Sequence, residues 1–96
     1  MEQLLRQIKL LSEKEPKTLE QMALKLSEEV GETSQAVLSY LKVNGSEYKQ
    51  LGIHEVKEEC VDVILVTLAL FYKVAENENE LQELIIRKMD KWQRKI

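Results

Sequence analysis

Residues 22–41 read MALKLSEEVGETSQAVLSYL, and this stretch decides the fold. Placed on a helical wheel at about 100° per residue with Glu29 at zero, Met22, Leu26, Val30, Ala36, Val37 and Tyr40 fall within about a right angle of it. The apolar period is that of a helix. Its arc nevertheless contains a carboxylate: Glu29 lies inside it, Glu32 one turn on sits at its edge, and Glu28 points further out.

Working outward, the spacing predicts four helices and an all-α fold. Leu4, Leu5, Ile8 and Leu11 line one side of a helix over about 2–14, with Pro16 at or just past its end. Thr18 and Gln21 fit a capping box for a second helix over about 19–42. Asn44-Gly45-Ser46 is a stop and turn. A polar connection leads to Gly52, a third helix covers about 53–75, and a fourth, capped by Asn77 or Asn79, runs from about 80 nearly to the end. Short connections predict antiparallel neighbours in a small four-helix bundle. With 96 residues, 44% hydrophobic, the chain is expected to be a single domain over 1–96. Its core is modest for that size, so oligomerisation would help to complete it. Leu24, Leu38 and Leu65 lie off the main arcs and point to subunit contacts, hence to a homodimer or homotetramer.

Composition narrows the partners. Net charge is −3 with acids and bases interleaved along the chain, which gives no basic stripe for nucleic acid. No apolar run approaches the roughly 20 residues of a membrane span. The start, MEQLLRQIKL, lacks the apolar core of a signal peptide, and the lone Cys60 forms no internal disulfide, so a cytoplasmic location is expected.

The third helix repeats the feature of the second. With Glu59 at zero, Val56, Cys60, Val63, Val66, Thr67 and Leu70 surround it, Asp62 takes the edge position of Glu32, and Glu58 points outward as Glu28 does. E-E-x-x-E on one helix is echoed by E-E-x-x-D on the next. If the two arcs face each other, Glu29, Glu32, Glu59 and Asp62 converge. Four carboxylates in partly apolar surroundings repel and lose hydration. A small hard cation removes both penalties, and an all-oxygen ligand set suits Mg²⁺ or Mn²⁺. The Glu-x-x-His pairs of carboxylate-bridged di-iron bundles are absent, as is a calcium-binding loop. The competing reading of each Glu-x-x-Glu is a solvated charged face.

ALKLSEEVGE followed by EECVDVILVTLAL resembles the MazG-type all-α nucleoside triphosphate pyrophosphohydrolases. The resemblance runs from EPKTLEQMALKL to IIRKMDKWQRK and rests on the paired E-x-x-E and E-x-x-D. It implies a Mg²⁺-dependent hydrolase that cleaves a nucleoside triphosphate between its α- and β-phosphates, releasing a nucleoside monophosphate and pyrophosphate. It also implies that Glu29, Glu32, Glu59 and Asp62 hold the metal. Lys88 matches a lysine suited to the phosphates; the plainer reading is a lysine with its stem on the core and its head in water. Trp92 stands where relatives often carry Asn, and with Tyr40 it reads as a core or interface side chain, stacking on a base being the lesser alternative. Glu28 or Glu58, one position before the ligands, is placed to orient a water or take its proton. Lys25, one turn before Glu29, is a candidate carboxylate or phosphate partner, a surface lysine being the plainer reading. Gly31 is expected to permit close helix approach, Cys60 to be a small core residue, and His54 to be exposed. The alternative to the enzyme is a non-catalytic helical dimerisation or regulatory module that keeps an acidic metal-binding core.

Overall fold

The computed structural model describes residues 1–42 and 49–96, which form four helices and no strand. They are α1 (Glu2–Glu13), α2 (Leu19–Lys42), α3 (Lys49–Val74) and α4 (Glu80–Lys95). The all-α reading holds. The predicted Asn44-Gly45-Ser46 turn lies outside the described residues.

The start of α2 is fixed by a reciprocal cap. The Thr18 N–H donates to Gln21 Oε1 at 2.9 Å, and the Gln21 N–H donates to Thr18 Oγ1 at 3.1 Å. This is the predicted capping box, which satisfies two amides the helix leaves without partners. At the start of α4 it is Asn77, one of the two expected residues, whose side chain caps: its Oδ1 accepts from the Asn79 N–H at 2.9 Å. Asn79 occupies the N-cap position but its side chain makes no cap hydrogen bond. Glu80 completes the box, its Oε1 accepting from the Asn77 N–H at 3.0 Å and from the Glu76 N–H.

The third helix begins at Lys49, not near residue 53. The polar composition of 49–52 reads as a connection, but only Gly52 opposes a helix there, at a cost of about 1 kcal/mol. That cost has a structural return. A Cβ at Gly52 would lie 3.1 Å from Tyr40 Cδ1 and 3.3 Å from Tyr40 Cα, so glycine lets α3 approach the end of α2. The close approach expected at Gly31 is not there, because a Cβ built at Gly31 meets nothing within 4 Å.

Helix α3 is the centre of the molecule and packs on both α2 and α1. The α2–α3 pair is antiparallel: Thr33 lies against the Glu59 carbonyl, and further along α2 Tyr40 lies against the earlier Gly52. The α1–α2 connection is tied to the far end of α3, where Lys73 Nζ donates to the Glu15 carbonyl at 2.7 Å. Sequential neighbours α1 and α2 do not pack extensively on one another, contrary to the expectation from short connections. Helix α4 packs extensively on none of the other three among the described residues and buries none of its own side chains.

The core is narrow. On α2 the buried residues are Met22 and Ala36, each 3% exposed, and Glu29 at 6%. These stand seven residues apart, so they form a single stripe along the helix. Glu29 is its middle member.

Candidate metal centre

Antiparallel packing converts the sequence echo into a cross-pairing. Residues ascending α2 meet residues descending α3, so Glu29 comes opposite the Asp62 end of the second motif and Glu32 opposite Glu59. Glu29, Glu59 and Asp62 each offer a carboxylate oxygen, and the three atoms lie within 4.8 Å of one another. Glu29 is buried, Glu59 half-buried and Asp62 exposed, so the cluster runs from the helix seam out to its mouth. Glu32, half-buried, stands outside this trio but close enough to Glu59 to act on its charge.

The buried part of the cluster is not internally satisfied. Glu29 Oε1 is 3.1 Å from Lys25 Nζ, but Glu29 Oε2 and Glu59 Oε2 are both buried without a hydrogen-bond partner. Buried polar atoms are nearly always paired, and an unpaired ionised oxygen costs more than a neutral one. Burial, followed by the charges of Glu32 and Asp62, raises the Glu59 pKa above its ordinary value. Two unpartnered carboxylate oxygens in one cluster are what a cation would satisfy.

The seam is held at a defined spacing by Thr33, one turn after Glu29. Its hydroxyl donates to the Glu29 carbonyl at 2.9 Å and lies 3.4 Å from the Glu59 carbonyl across the interface. One side chain therefore touches the backbone that carries both Glu29 and Glu59. The sequence reading missed Thr33; the signal available was a hydroxyl at i+4 from a carboxylate on an apolar arc.

Lys25 is more than a bystander on the surface. Its ammonium is 3.1 Å from Glu29 and 3.6 Å from Glu28, and the Glu29 contact and the two charges raise its pKa. Glu28 and Glu58 are exposed, beside the cluster and outside it. Glu58 and Asp62 line a shallow groove of about 320 Å³ with Lys57 and Val61.

Several expected residues lie elsewhere. Cys60 is exposed, because the two-helix seam covers only the narrow arc around Glu59 and leaves the flank bearing Cys60 open. His54 is exposed as expected. Tyr40 is half-buried against α3, whereas Trp92 is 66% exposed. Lys88 and Trp92 both belong to α4, and since that helix packs extensively on neither α2 nor α3, the fold does not carry them to the carboxylates within one chain. Lys88 instead joins Arg87, Lys91, Arg94 and Lys95 around a recess of about 460 Å³. Interleaving of charge along the whole chain concealed this local basic group. No helix of the described residues is long and apolar enough to cross a membrane.

No family model, no curated protein and no solved structure matches the chain.

Proposed function

We propose that the α2–α3 seam binds a divalent cation, Mg²⁺ or Mn²⁺, and that the protein uses it to hydrolyse a nucleoside triphosphate between the α- and β-phosphates. The observation that carries the metal is the buried, half-paired Glu29 facing Glu59 and Asp62, with two orphaned oxygens among them. Glu29, Glu59 and Asp62 would be the ligands, with Glu32 joining from its place beside Glu59. The donor set is all oxygen, which matches a small hard cation. Such a cation, when bound, offsets phosphate charge and lowers the pKa of a coordinated water.

The reaction itself rests on the resemblance of the paired motifs. The chain's own groups suit its other needs. Glu58, exposed at the groove beside Asp62, would orient a water and accept its proton as the water oxygen attacks the α-phosphorus. The bond from that phosphorus to the bridging oxygen breaks, and pyrophosphate departs with the electron pair. Glu28 is the other candidate base, although its contact with Lys25 makes it the weaker one. Positioning and charge compensation would supply most of the rate. The working form in this reading is a homo-oligomer.

The second reading, a non-catalytic module with an acidic metal-binding core, is favoured by one observation: Lys88 and Trp92 stand apart from the cluster within the chain. Pyrophosphate release separates the two. A panel of common and modified nucleoside triphosphates with Mg²⁺ or Mn²⁺ is expected to yield pyrophosphate and a nucleoside monophosphate with at least one member. Release that disappears in Glu59→Gln supports the enzyme. No release from any member, in a protein that still binds Mn²⁺, favours the module.

A further inference from the structure

Among the described residues, Lys25 is the one basic side chain paired with a carboxylate of the cluster. Its ammonium lies 3.1 Å from Glu29 Oε1 and 3.6 Å from Glu28 Oε1. The two sides of the Glu29 contact differ in freedom. Glu29 is buried in the seam, whereas Lys25 is half-buried and reaches the cluster from solvent on a flexible four-carbon stem. The lysine satisfies one Glu29 oxygen. The other stays buried and unpartnered, as does Glu59 Oε2. A single charge at one edge therefore meets only part of what Glu29, Glu59 and Asp62 require together.

A divalent cation carries twice the charge of the ammonium, and the two repel on one carboxylate. Filling the cluster thus loosens the hold of Glu29 on Lys25. Glu28 is a poor second anchor, because it is exposed and an exposed ion pair contributes little. The released ammonium is a compact cation with three donors, left beside the site where the metal reading puts phosphates. No other lysine competes for that place on the resemblance alone: Lys88, which it offers for the phosphates, belongs to α4 and is not carried to the cluster within the chain.

We infer that Lys25 is an exchangeable counter-ion, holding Glu29 in the metal-free protein and turning to a diphosphate group of the substrate once a divalent cation fills the cluster. The inference rests on the metal reading and adds a residue and an order of binding to it. Each ligand favours the arrangement in which Lys25 has left Glu29, so metal and diphosphate bind cooperatively. Lys25 then acts with opposite sign on the two ligands, opposing the metal and supporting the diphosphate. A lysine that only braced Glu29 would support both.

The test measures the two ligands separately on the full chain. Mn²⁺ alone is titrated and followed by electron paramagnetic resonance. Methylenediphosphonate, a diphosphate analogue that water does not cleave, is then titrated by calorimetry at saturating Mn²⁺ and again in EDTA. In the wild type the analogue binds about tenfold or more tighter with Mn²⁺ than in EDTA. Lys25→Met binds Mn²⁺ several-fold tighter, yet at saturating Mn²⁺ it binds the analogue about tenfold weaker. Lys25→Arg, which keeps the charge and the donors, restores the analogue to within about threefold. Circular dichroism checks that the helices persist in both variants. Lys25→Met that weakens both ligands, or leaves the analogue unchanged, overturns the inference while the metal reading stands. So does an analogue that binds equally well in EDTA. A wild type that binds no Mn²⁺ in the first titration overturns the metal reading, and the inference with it.

Discussion

Replacing Glu29 by glutamine should make the metal-free protein more stable and the metal-loaded protein less so. Glu29 is 6% exposed, with one oxygen paired to Lys25 and the other buried without a partner. An unsatisfied buried polar atom costs roughly 1–3 kcal/mol, and more when it is charged. The amide keeps the shape of the side chain, removes the charge and can donate an N–H to the neighbouring carboxylates. Against this stands the loss of charge in the Lys25 contact, a partly exposed pair one helical turn apart, which contributes little. The balance is a gain of about 1–2 kcal/mol. For a domain of this size each kcal/mol moves the Tm by about 4–8 °C, so the variant should melt roughly 5–15 °C higher in EDTA. With a cation at about 100 times its Kd the order changes, because the wild type gains about 2.7 kcal/mol and the variant little of it. The assay is thermal melting by circular dichroism at pH 7, in EDTA and over a Mn²⁺ titration. A variant that melts below the wild type in EDTA would show that both Glu29 oxygens are satisfied in solution. A variant that keeps the full Mn²⁺ response would remove Glu29 from the ligands. Either result breaks the reasoning.

Four further outcomes follow from the surroundings of single residues. The folded-state pKa of Glu59 is raised above its ordinary 4.5. Its ionisation therefore opposes folding, and in EDTA stability should fall as pH rises from that ordinary value through the raised one, then level off. Urea unfolding of wild type against Glu59→Gln isolates this slope, which should be absent in the variant and reversed in the wild type at constant free Mn²⁺. Lys25→Met removes the cation that shares Glu29, so Mn²⁺ binding followed by electron paramagnetic resonance should tighten several-fold; weaker binding would make Lys25 a supporting residue, not a competitor. Gly31→Ala, with open space around the new methyl, should add roughly 0.5–1 kcal/mol to urea stability. Gly52→Ala should show no such gain, because its methyl would press on the Tyr40 side chain and backbone.

The parts of this structure that are local or periodic were legible in the residues. The Thr18–Gln21 cap is a four-residue pattern with a fixed geometry, and it forms as expected. The stripe through Met22, Glu29 and Ala36 follows from helical spacing, which is why a carboxylate inside the apolar arc could be singled out. The motif echo on α3 made convergence of the two acidic pairs the economical arrangement, and three of the four meet within one cluster. What the residues did not disclose depends on which helix lies beside which. A wheel assigns Cys60 to an apolar arc but does not say how much of that arc a neighbour covers, and here Cys60 is left open. Gly31 and Gly52 look alike in sequence; only the approach of Tyr40 distinguishes them. Trp92 reads as a core or interface side chain, yet among the described residues it is left 66% exposed.

The seven-residue stripe on α2 has one more implication. Its middle slot is where a bundle selected for rigidity alone would carry leucine, and a Glu29→Leu chain should zip α2 and α3 into a tighter, inert pair. By keeping an acid there, the protein forgoes the most robust version of its own fold. Tolerance to other damaging substitutions along α2 and α3 should accordingly be small until something fills the gap between the helices.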